Sequence, residues 1–308
     1  MNWKLKAHAL AVLSRVPAGR FAYHRLQRLV GTNSLDAREG IVRSLEIIKL
    51  IREAGADPRG RIFLEIGTGW RPFLPLILYL IGAKRTITFD INPWMDATYA
   101  FETYGALRGH LDFIAEDAGV PHDDVRGRYD RIMAPSGDID QLLEECFIEY
   151  RCPGDAGKTG LAEGSIDFVC SSNVLEHIPP DELERIHREA FRVLRREGLA
   201  VHRFNPQDHY SGVDRTITGA NFLQYSQEQW HWYGGEGLAY HNRLRCAQHE
   251  KLLHDAGFVL RVNRVRIDER ARAAIEAGRL SVHHDFAGFT AAQLAADYMW
   301  LVGERTSG

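Results

Sequence analysis

From Arg61 to Phe204 short apolar runs alternate with helical stretches, and that alternation restricts the chain to few folds. Arg61-Ile-Phe-Leu-Glu-Ile66 reads as a buried strand broken at Gly67-Thr-Gly69, followed by an apolar helix from Arg71 to Ile81 and a second strand from Lys84 to Asp90. Phe147 to Arg151 and Ser165 to Ser171 repeat the strand pattern, a helix spans Asp181 to Arg196, and a fifth strand runs from Gly198 to Phe204. Strands separated by helices must cross over and lie parallel. A helix over Arg245 to Ala256 then precedes a strand from Phe258 to Ile267 and a last strand from Asp297 to Arg305. No full crossover joins those last two, so one of them is expected antiparallel at the sheet edge. The fold expected is α/β, a doubly wound and mostly parallel seven-stranded sheet. Helices over 1–58 form an N-terminal cap ending at Gly55 and Pro58. The sheet domain occupies 59–308, with a helical insertion near 92–143 and a second insertion near 206–244.

Composition removes several alternatives. Of 308 residues 45% are hydrophobic and 26% charged, the profile of a chain that can bury a core. Basic and acidic side chains, 38 and 41, are interspersed, with no Lys/Arg block of the kind that grips nucleic acid. A small or neutral acceptor fits that balance better. Cys146, Cys152, Cys170 and Cys246 lack the spacing of a zinc site or a disulfide framework, so a reducing, cytosolic location is expected. No signal peptide is visible, and the longest apolar run, Phe73 to Ala83, falls short of the about 20 residues a bilayer requires. From Trp3 to Val30, Trp3, Leu5, Leu10, Leu13, Val16 and Phe21 recur at helical intervals among Lys4, Lys6, Arg15 and Arg20. This pattern suits a helix packed on its own domain, and also one in peripheral contact with a membrane.

Three short segments carry the chemistry. Glu65-Ile-Gly67-Thr68-Gly69 closes a strand and opens a helix, where glycines let the backbone bend and approach a ligand, and the helix end offers free N–H groups. Tight structural turns use the same residues. Asp90 ends the second strand about twenty residues on, where doubly wound folds place an acid on ribose hydroxyls. Gly154-Asp155-Ala156 follows the third strand, with a side-chain acceptor suited to an exocyclic amine and an Ala156 N–H suited to a ring nitrogen; any surface Gly-Asp turn reads the same way.

With these residues in place the sequence resembles the class I, Rossmann-like S-adenosylmethionine methyltransferases. The resemblance runs from about Arg61 to Phe204 and resumes in the C-terminal strands. Its most specific part is Ser165-Ile-Asp-Phe-Val-Cys-Ser-Ser-Asn-Val-Leu-Glu-His-Ile178, with Val193-Leu-Arg-Arg-Glu-Gly198 behind it. The resemblance implies S-adenosyl-L-methionine as cofactor and S-adenosyl-L-homocysteine as product. It implies Glu65, Gly67, Thr68 and Gly69 at the methionine end, Asp90 and Ile91 at the ribose, Asp155 and Ala156 at the adenine, and Asn173 beside the sulfonium. The usual third glycine of the loop is missing, and Trp70-Arg71-Pro72 stands there. Arg71 fits either an ion pair with the cofactor carboxylate or simple crowding of the turn. Without a third glycine to support a pyrophosphate, a dehydrogenase is disfavoured.

Methyl transfer is an in-line displacement, so the enzyme chiefly aligns two atoms, and a hydroxyl acceptor also needs a base. His202 on the fifth strand and Asp208-His209 just beyond it are the candidate catalytic residues. His202 shares a strand face with Ala200 and Phe204, which equally describes a core histidine. Asn221 to Ser226, Trp230, Trp232, Tyr233, Tyr240 to Arg243 and Arg245 form an aromatic and polar cluster suited to a sugar or to packing over the sheet. Leu13 to Tyr23, Leu26 to Gly31, Asp208-His209 and Asn242 to Arg245 are similar to methyltransferases of surface-polysaccharide modification. That likeness implies a glycan acceptor, methylated on a hydroxyl or carboxylate. A natural-product or peptide acceptor, or a non-catalytic cofactor-binding relative, stands beside it. His283-His284-Asp285 reads as a polar loop, and no metal is expected.

Overall fold

The computed structural model describes residues 2–16, 35–134, 137–234, 237 and 240–306. Seven strands form one sheet: β1 (Ile62–Ile66), β2 (Arg85–Phe89), β3 (Ile148–Arg151), β4 (Ile166–Ser172), β5 (Leu194–Phe204), β6 (Val259–Ile267) and β7 (Ala296–Glu304). Their order is β3-β2-β1-β4-β5-β7-β6. The order reverses at β1 and β4, the switch point where doubly wound sheets open a crevice beyond the strand C-termini. Pairings from β3 through β5 are parallel, and β7 is antiparallel to both β5 and β6. The antiparallel strand therefore lies at this end of the sheet, one place in from the edge, with β6 outermost.

Helices cover both faces. On one face α2 (Ala37–Glu53) and α3 (Phe73–Leu80) pack Ile41, Leu45, Ile48, Leu76 and Ile77 against Phe63, Phe168 and Val201. Asp36 caps α2 by accepting from the Glu39 N–H at 2.9 Å. The helical insertion supplies α4 (Ala97–Leu107), α5 (Leu111–Ala118), α6 (His122–Asp130) and α7 (Ile139–Glu145), which extend this layer with Ile114, Ala118, Val125 and Leu142. On the other face α8 (Pro180–Val193) and α10 (Cys246–Asp255) cover Leu64, Val169, Ala200 and Phe204. Cys170 is fully buried, as expected of a reduced core thiol.

A third apolar cluster builds a lid from α1 (Trp3–Arg15), the turns after β5, and α9 (Gln227–Gly234). Trp3 lies within 6.2 Å of the Tyr210, Tyr225, Trp230 and Tyr233 rings, and its backbone N–H donates to Asp214 Oδ2 at 3.0 Å. The N-terminal helix is thus packed on its own domain through Trp3, Ala7 and Leu10, while Leu5, Val12 and Val16 face outward. The remainder of that stretch, with Phe21 and the Leu26 to Gly31 run, lies outside the described residues. The aromatic cluster around Trp230 is the core of this lid, so its packing role is the one the structure shows. No helix among the described residues is long and apolar enough to cross a membrane.

Candidate active site

The three turns that follow β1, β2 and β3 are laced together at Asp90. Gly67 (φ 75°) and Gly69 (φ 68°) take left-handed backbone conformations that only glycine adopts without strain. The Gly67 N–H donates to the Phe89 carbonyl at 2.8 Å, and a Cβ on Gly67 would stand 2.7 Å from Val174 Cγ2. The Gly69 N–H then donates to Asp90 Oδ2 at 2.8 Å, and the Asn92 N–H to Oδ1 at 3.0 Å. From the third turn the Gly154 N–H reaches the Asp90 carbonyl at 2.8 Å; a Cβ on Gly154 would lie 2.4 Å from the Arg151 carbonyl. Burial pushes the Asp90 carboxyl up, while these N–H donors pull it back toward its ionised form.

Glu65 ends β1 beneath this lacing. It is buried and accepts from Thr88 Oγ1 at 2.8 Å, and the Thr88 hydroxyl also meets that of Thr68. Burial raises Glu65 to about 7, against the opposing pull of the two threonines. Ile91 is 73% exposed beside Asp90, an apolar surface left open at the strand end. Ala156 is buried with Leu64 and Ile66. The Asp155 carboxylate accepts from the Gly157 N–H at 2.8 Å and from Arg185 Nη1 at 2.7 Å, and the arginine holds it below the usual range. Arg71 is turned toward the insertion, where it donates to Glu102 at 2.8 Å and covers the Tyr99 ring. Trp70 stacks on Trp94 at 5.0 Å between centroids. The helix behind the turn starts at Phe73, after Pro72, so the Trp70-Arg71-Pro72 stretch lengthens the loop.

Beside this crevice, at the same sheet edge, a cavity of about 530 Å³ opens between α2 and the ends of β4 to β7. Arg38, Arg43, Arg203 and Arg266 line it together with the carboxylates of Asp36 and Glu39, the amides of Asn173, Asn205 and Gln207, and Tyr298, and Val42 is the aliphatic side chain among them. Asn173 connects the cavity to β4: it takes φ 56°, and its Oδ1 accepts from the Tyr298 hydroxyl and from Arg203 Nη1 at 3.3 Å. Arg203 is only 5% exposed; it donates to Glu46 Oε2 at 2.8 Å and to Ser172 Oγ at 2.9 Å. The guanidinium groups of Arg203 and Arg266 approach the Tyr298 ring at 4.8 and 5.2 Å from its centroid. Sequence reasoning missed Arg203 and Tyr298. Strand alternation on β5 held the signal, since Arg203 must face opposite His202.

Two of the candidate catalytic residues are absorbed into the protein interior. His202 has no exposed surface and hydrogen-bonds Ser171 Oγ at 2.8 Å, with His187 of α8 as a ring neighbour at 5.4 Å. Burial holds its imidazole well below the ordinary value. It lies on the face roofed by α8 and α10 and not on the cavity side. Asp208 accepts from the Tyr210 N–H and from Asn221 Nδ2, both at 2.8 Å, and burial raises it to about 6. It caps the turn behind it. His209 bonds Asn205 Oδ1 at 2.8 Å, so Asp208 and His209 do not form a base with its orienter. Asn242 Nδ2 donates to the Leu175 and Ile178 carbonyls at 2.7 and 2.9 Å, and Arg245 to the Pro206 carbonyl at 2.7 Å. Asn242 thus fastens this stretch to the β4 turn, and Arg245 fastens it to the turn after β5.

Residues 138–202, from just before α7 into β5, match the family described as "Methyltransferase domain". No curated protein matches the chain. Among solved structures, a protein from Galdieria sulphuraria provisionally described as a sarcosine dimethylglycine methyltransferase is 15% identical, with 87% of this chain and 88% of that one covered and a TM-score of 0.48. A SAM-dependent methyltransferase from Methanosarcina mazei is 18% identical over 81% and 94% of the two chains, with a TM-score of 0.42. A geranyl diphosphate C-methyltransferase from Streptomyces coelicolor is 11% identical over 85% and 78%, with a TM-score of 0.46.

Proposed function

We propose that the protein transfers a methyl group from S-adenosylmethionine to an oxygen of a sugar or glycan acceptor, and that a carboxylate is the oxygen methylated. The cofactor lies across the turns joined at Asp90. The Asp90 carboxylate, oriented by N–H groups of Gly69, Ile91 and Asn92, has about four acceptor sites and so can still accept from a ribose hydroxyl. Ile91 offers an apolar face for the adenine, and Asp155 and Ala156 close its far side. The buried Glu65 carboxyl stands where a positively charged amino group would hold it ionised.

The observation that carries the acceptor reading is the cavity beside Asn173, lined by Arg38, Arg43, Arg203 and Arg266 and by the amides of Asn173, Asn205 and Gln207, with Asp36 and Glu39 at the α2 side. Guanidinium, carboxylate, amide and phenol groups together fit an acceptor with many hydroxyls, and the four arginines against two lining carboxylates leave room for an anionic group, even though Arg43, Arg203 and Arg266 also pair within the protein. With His202 and Asp208 buried and committed, a carboxylate suits the site. It is already ionised at neutral pH and needs no base. Position and alignment then supply the rate.

Calorimetry with S-adenosylhomocysteine tests the cofactor half: heat of binding is expected for the native protein and lost in Asp90→Ala. Mass spectrometry of acceptor mixtures then tests the rest. Methyl esters of uronic acids are expected; transfer only to neutral, apolar acceptors would sink the carboxylate reading.

A further inference from the structure

We infer that the protein holds a divalent transition-metal ion of the zinc class on His177, His209 and His241. The three histidines come from separate segments: the turn after β4, the turn after β5, and the stretch leading into α10. One nitrogen from each imidazole lies within 4.8 Å of the others. Ring centroids stand 5.1 Å apart for His177 and His209, 4.9 Å for His177 and His241, and 3.9 Å for His209 and His241. Nitrogens around one zinc, each at about 2.0–2.1 Å, are about 3.3 Å apart, a small side-chain adjustment from this arrangement.

The second observation concerns tautomers. His177 Nδ1 faces the Tyr240 carbonyl at 3.1 Å, and His209 Nε2 faces Asn205 Oδ1 at 2.8 Å. Both partners are oxygen acceptors, so those ring nitrogens carry the protons. That leaves His177 Nε2 and His209 Nδ1 with lone pairs. Metal-binding imidazoles are commonly oriented this way, the second N–H donated to a carbonyl or carboxylate. Neutral imidazoles suit zinc and its neighbours in the transition series rather than magnesium or calcium. Three protein ligands leave a fourth position for water or an acceptor oxygen, on the side where His177 is exposed.

His283, His284 and Asp285 also gather ligand atoms within 4.8 Å, but from consecutive residues of one exposed turn. There Asp285 already pairs with both imidazoles, at 3.2 and 3.3 Å. The His177 cluster instead bridges segments distant in sequence. An ion there would pin the lid to the end of β4, next to the acceptor cavity that Asn205 also lines. This inference does not depend on methyl transfer.

The test uses the full chain without an affinity tag, stripped by chelator and titrated with Zn²⁺ or Co²⁺ alone. The expected result is one zinc retained per chain, a visible cobalt absorption band, and a melting temperature raised by about 5 °C at saturating metal. His177→Ala, at an exposed position, should abolish retention without loss of fold by circular dichroism. Asn205→Ala should weaken affinity by about 10–100-fold, and His284→Ala should leave it unchanged. Absence of bound metal in the native protein, wild-type stoichiometry in His177→Ala, or loss of binding in His284→Ala would each overturn the site.

Discussion

The crevice around Asp90 and the cavity around Tyr298 share one sheet edge, yet they are built by different means. The crevice is backbone architecture: two left-handed glycines, three strand ends, and N–H groups donated to Asp90 from its own and the neighbouring turn. The cavity is side-chain architecture. Arg203 reaches Glu46 across 157 positions of sequence, and Tyr298 reaches Asn173 across 125. A backbone site tolerates surface change and fails when the chain path is altered. A side-chain site can be retuned one residue at a time, as suits the acceptor site proposed there.

The largest effect is expected where the backbone path is forced to change. Gly67→Ala places a Cβ at φ 75° and 2.7 Å from Val174 Cγ2. A left-handed alanine costs about 1–2 kcal/mol and overpacking about 1–3 kcal/mol, so denaturant unfolding should show a loss of about 2–5 kcal/mol. Adding Val174→Ala should recover only the packing share. Full recovery would mean that the turn's conformation is not under constraint.

Next comes Glu65, with a pH signature. Its folded value of about 7 lies above the ordinary 4.5. The protonated form is the one the folded interior prefers, so this group's contribution to stability is complete below about pH 4.5 and is lost as pH rises to about 7. The difference corresponds to about 3 kcal/mol at 1.36 kcal/mol per pH unit. His187, His209 and His249, held low by burial, act with the opposite sign between about pH 3 and 6.5. Only the difference between wild type and Glu65→Gln isolates the glutamate. Unfolding measured without cofactor should show Glu65→Gln gaining on wild type from pH 5 to pH 8, and parallel profiles would refute the burial account.

If Asp90 holds the ribose as proposed, Asp90→Asn should lower affinity for S-adenosylhomocysteine by about 10–100-fold, since a charged acceptor is replaced by a neutral one. Tyr298→Phe should leave that affinity unchanged and alter acceptor KM or kcat, because Tyr298 touches Asn173 and the cavity but none of the three turns. Equal losses of cofactor affinity in both variants would erase the distinction between the two regions.

That distinction also explains what the sequence disclosed. All seven strands were legible because apolar runs bounded by glycine and charge mark buried strands directly. The glycine turn and Asp90 followed from their position at strand ends. The boundaries slipped where conformation departs from pattern. Phe147 belongs to the apolar run but sits at φ 55°, so β3 begins at Ile148. β5 starts at Leu194, ahead of its apolar run, with a shift in its pairing between Ile166 and Phe168. His202 shows the deeper limit. Alternation puts it with Ala200 and Phe204, but which face is roofed depends on α8 and α10, whose placement is a long-range fact. For the same reason Arg203, its neighbour, was passed over, and the convergence of His177, His209 and His241 left no trace in spacing.

The smallest predicted effect separates the two possible uses of Arg71. A residue inside the glycine loop invites a role on the cofactor carboxylate, and its neighbours argue otherwise. Its guanidinium is committed to Glu102 and to the face of Tyr99, both on α4 of the insertion. Glu102 is about half exposed, so the pair contributes about 0–1 kcal/mol to stability. Arg71→Met keeps much of the apolar stem and loses only the charge. Cofactor affinity should then shift by less than about 3-fold, against the roughly 10-fold or greater loss that follows removal of a charge-assisted hydrogen bond to a carboxylate. A drop of that larger size in calorimetry would return Arg71 to the crevice, and would mean that the loop swings from Glu102 to the ligand on binding.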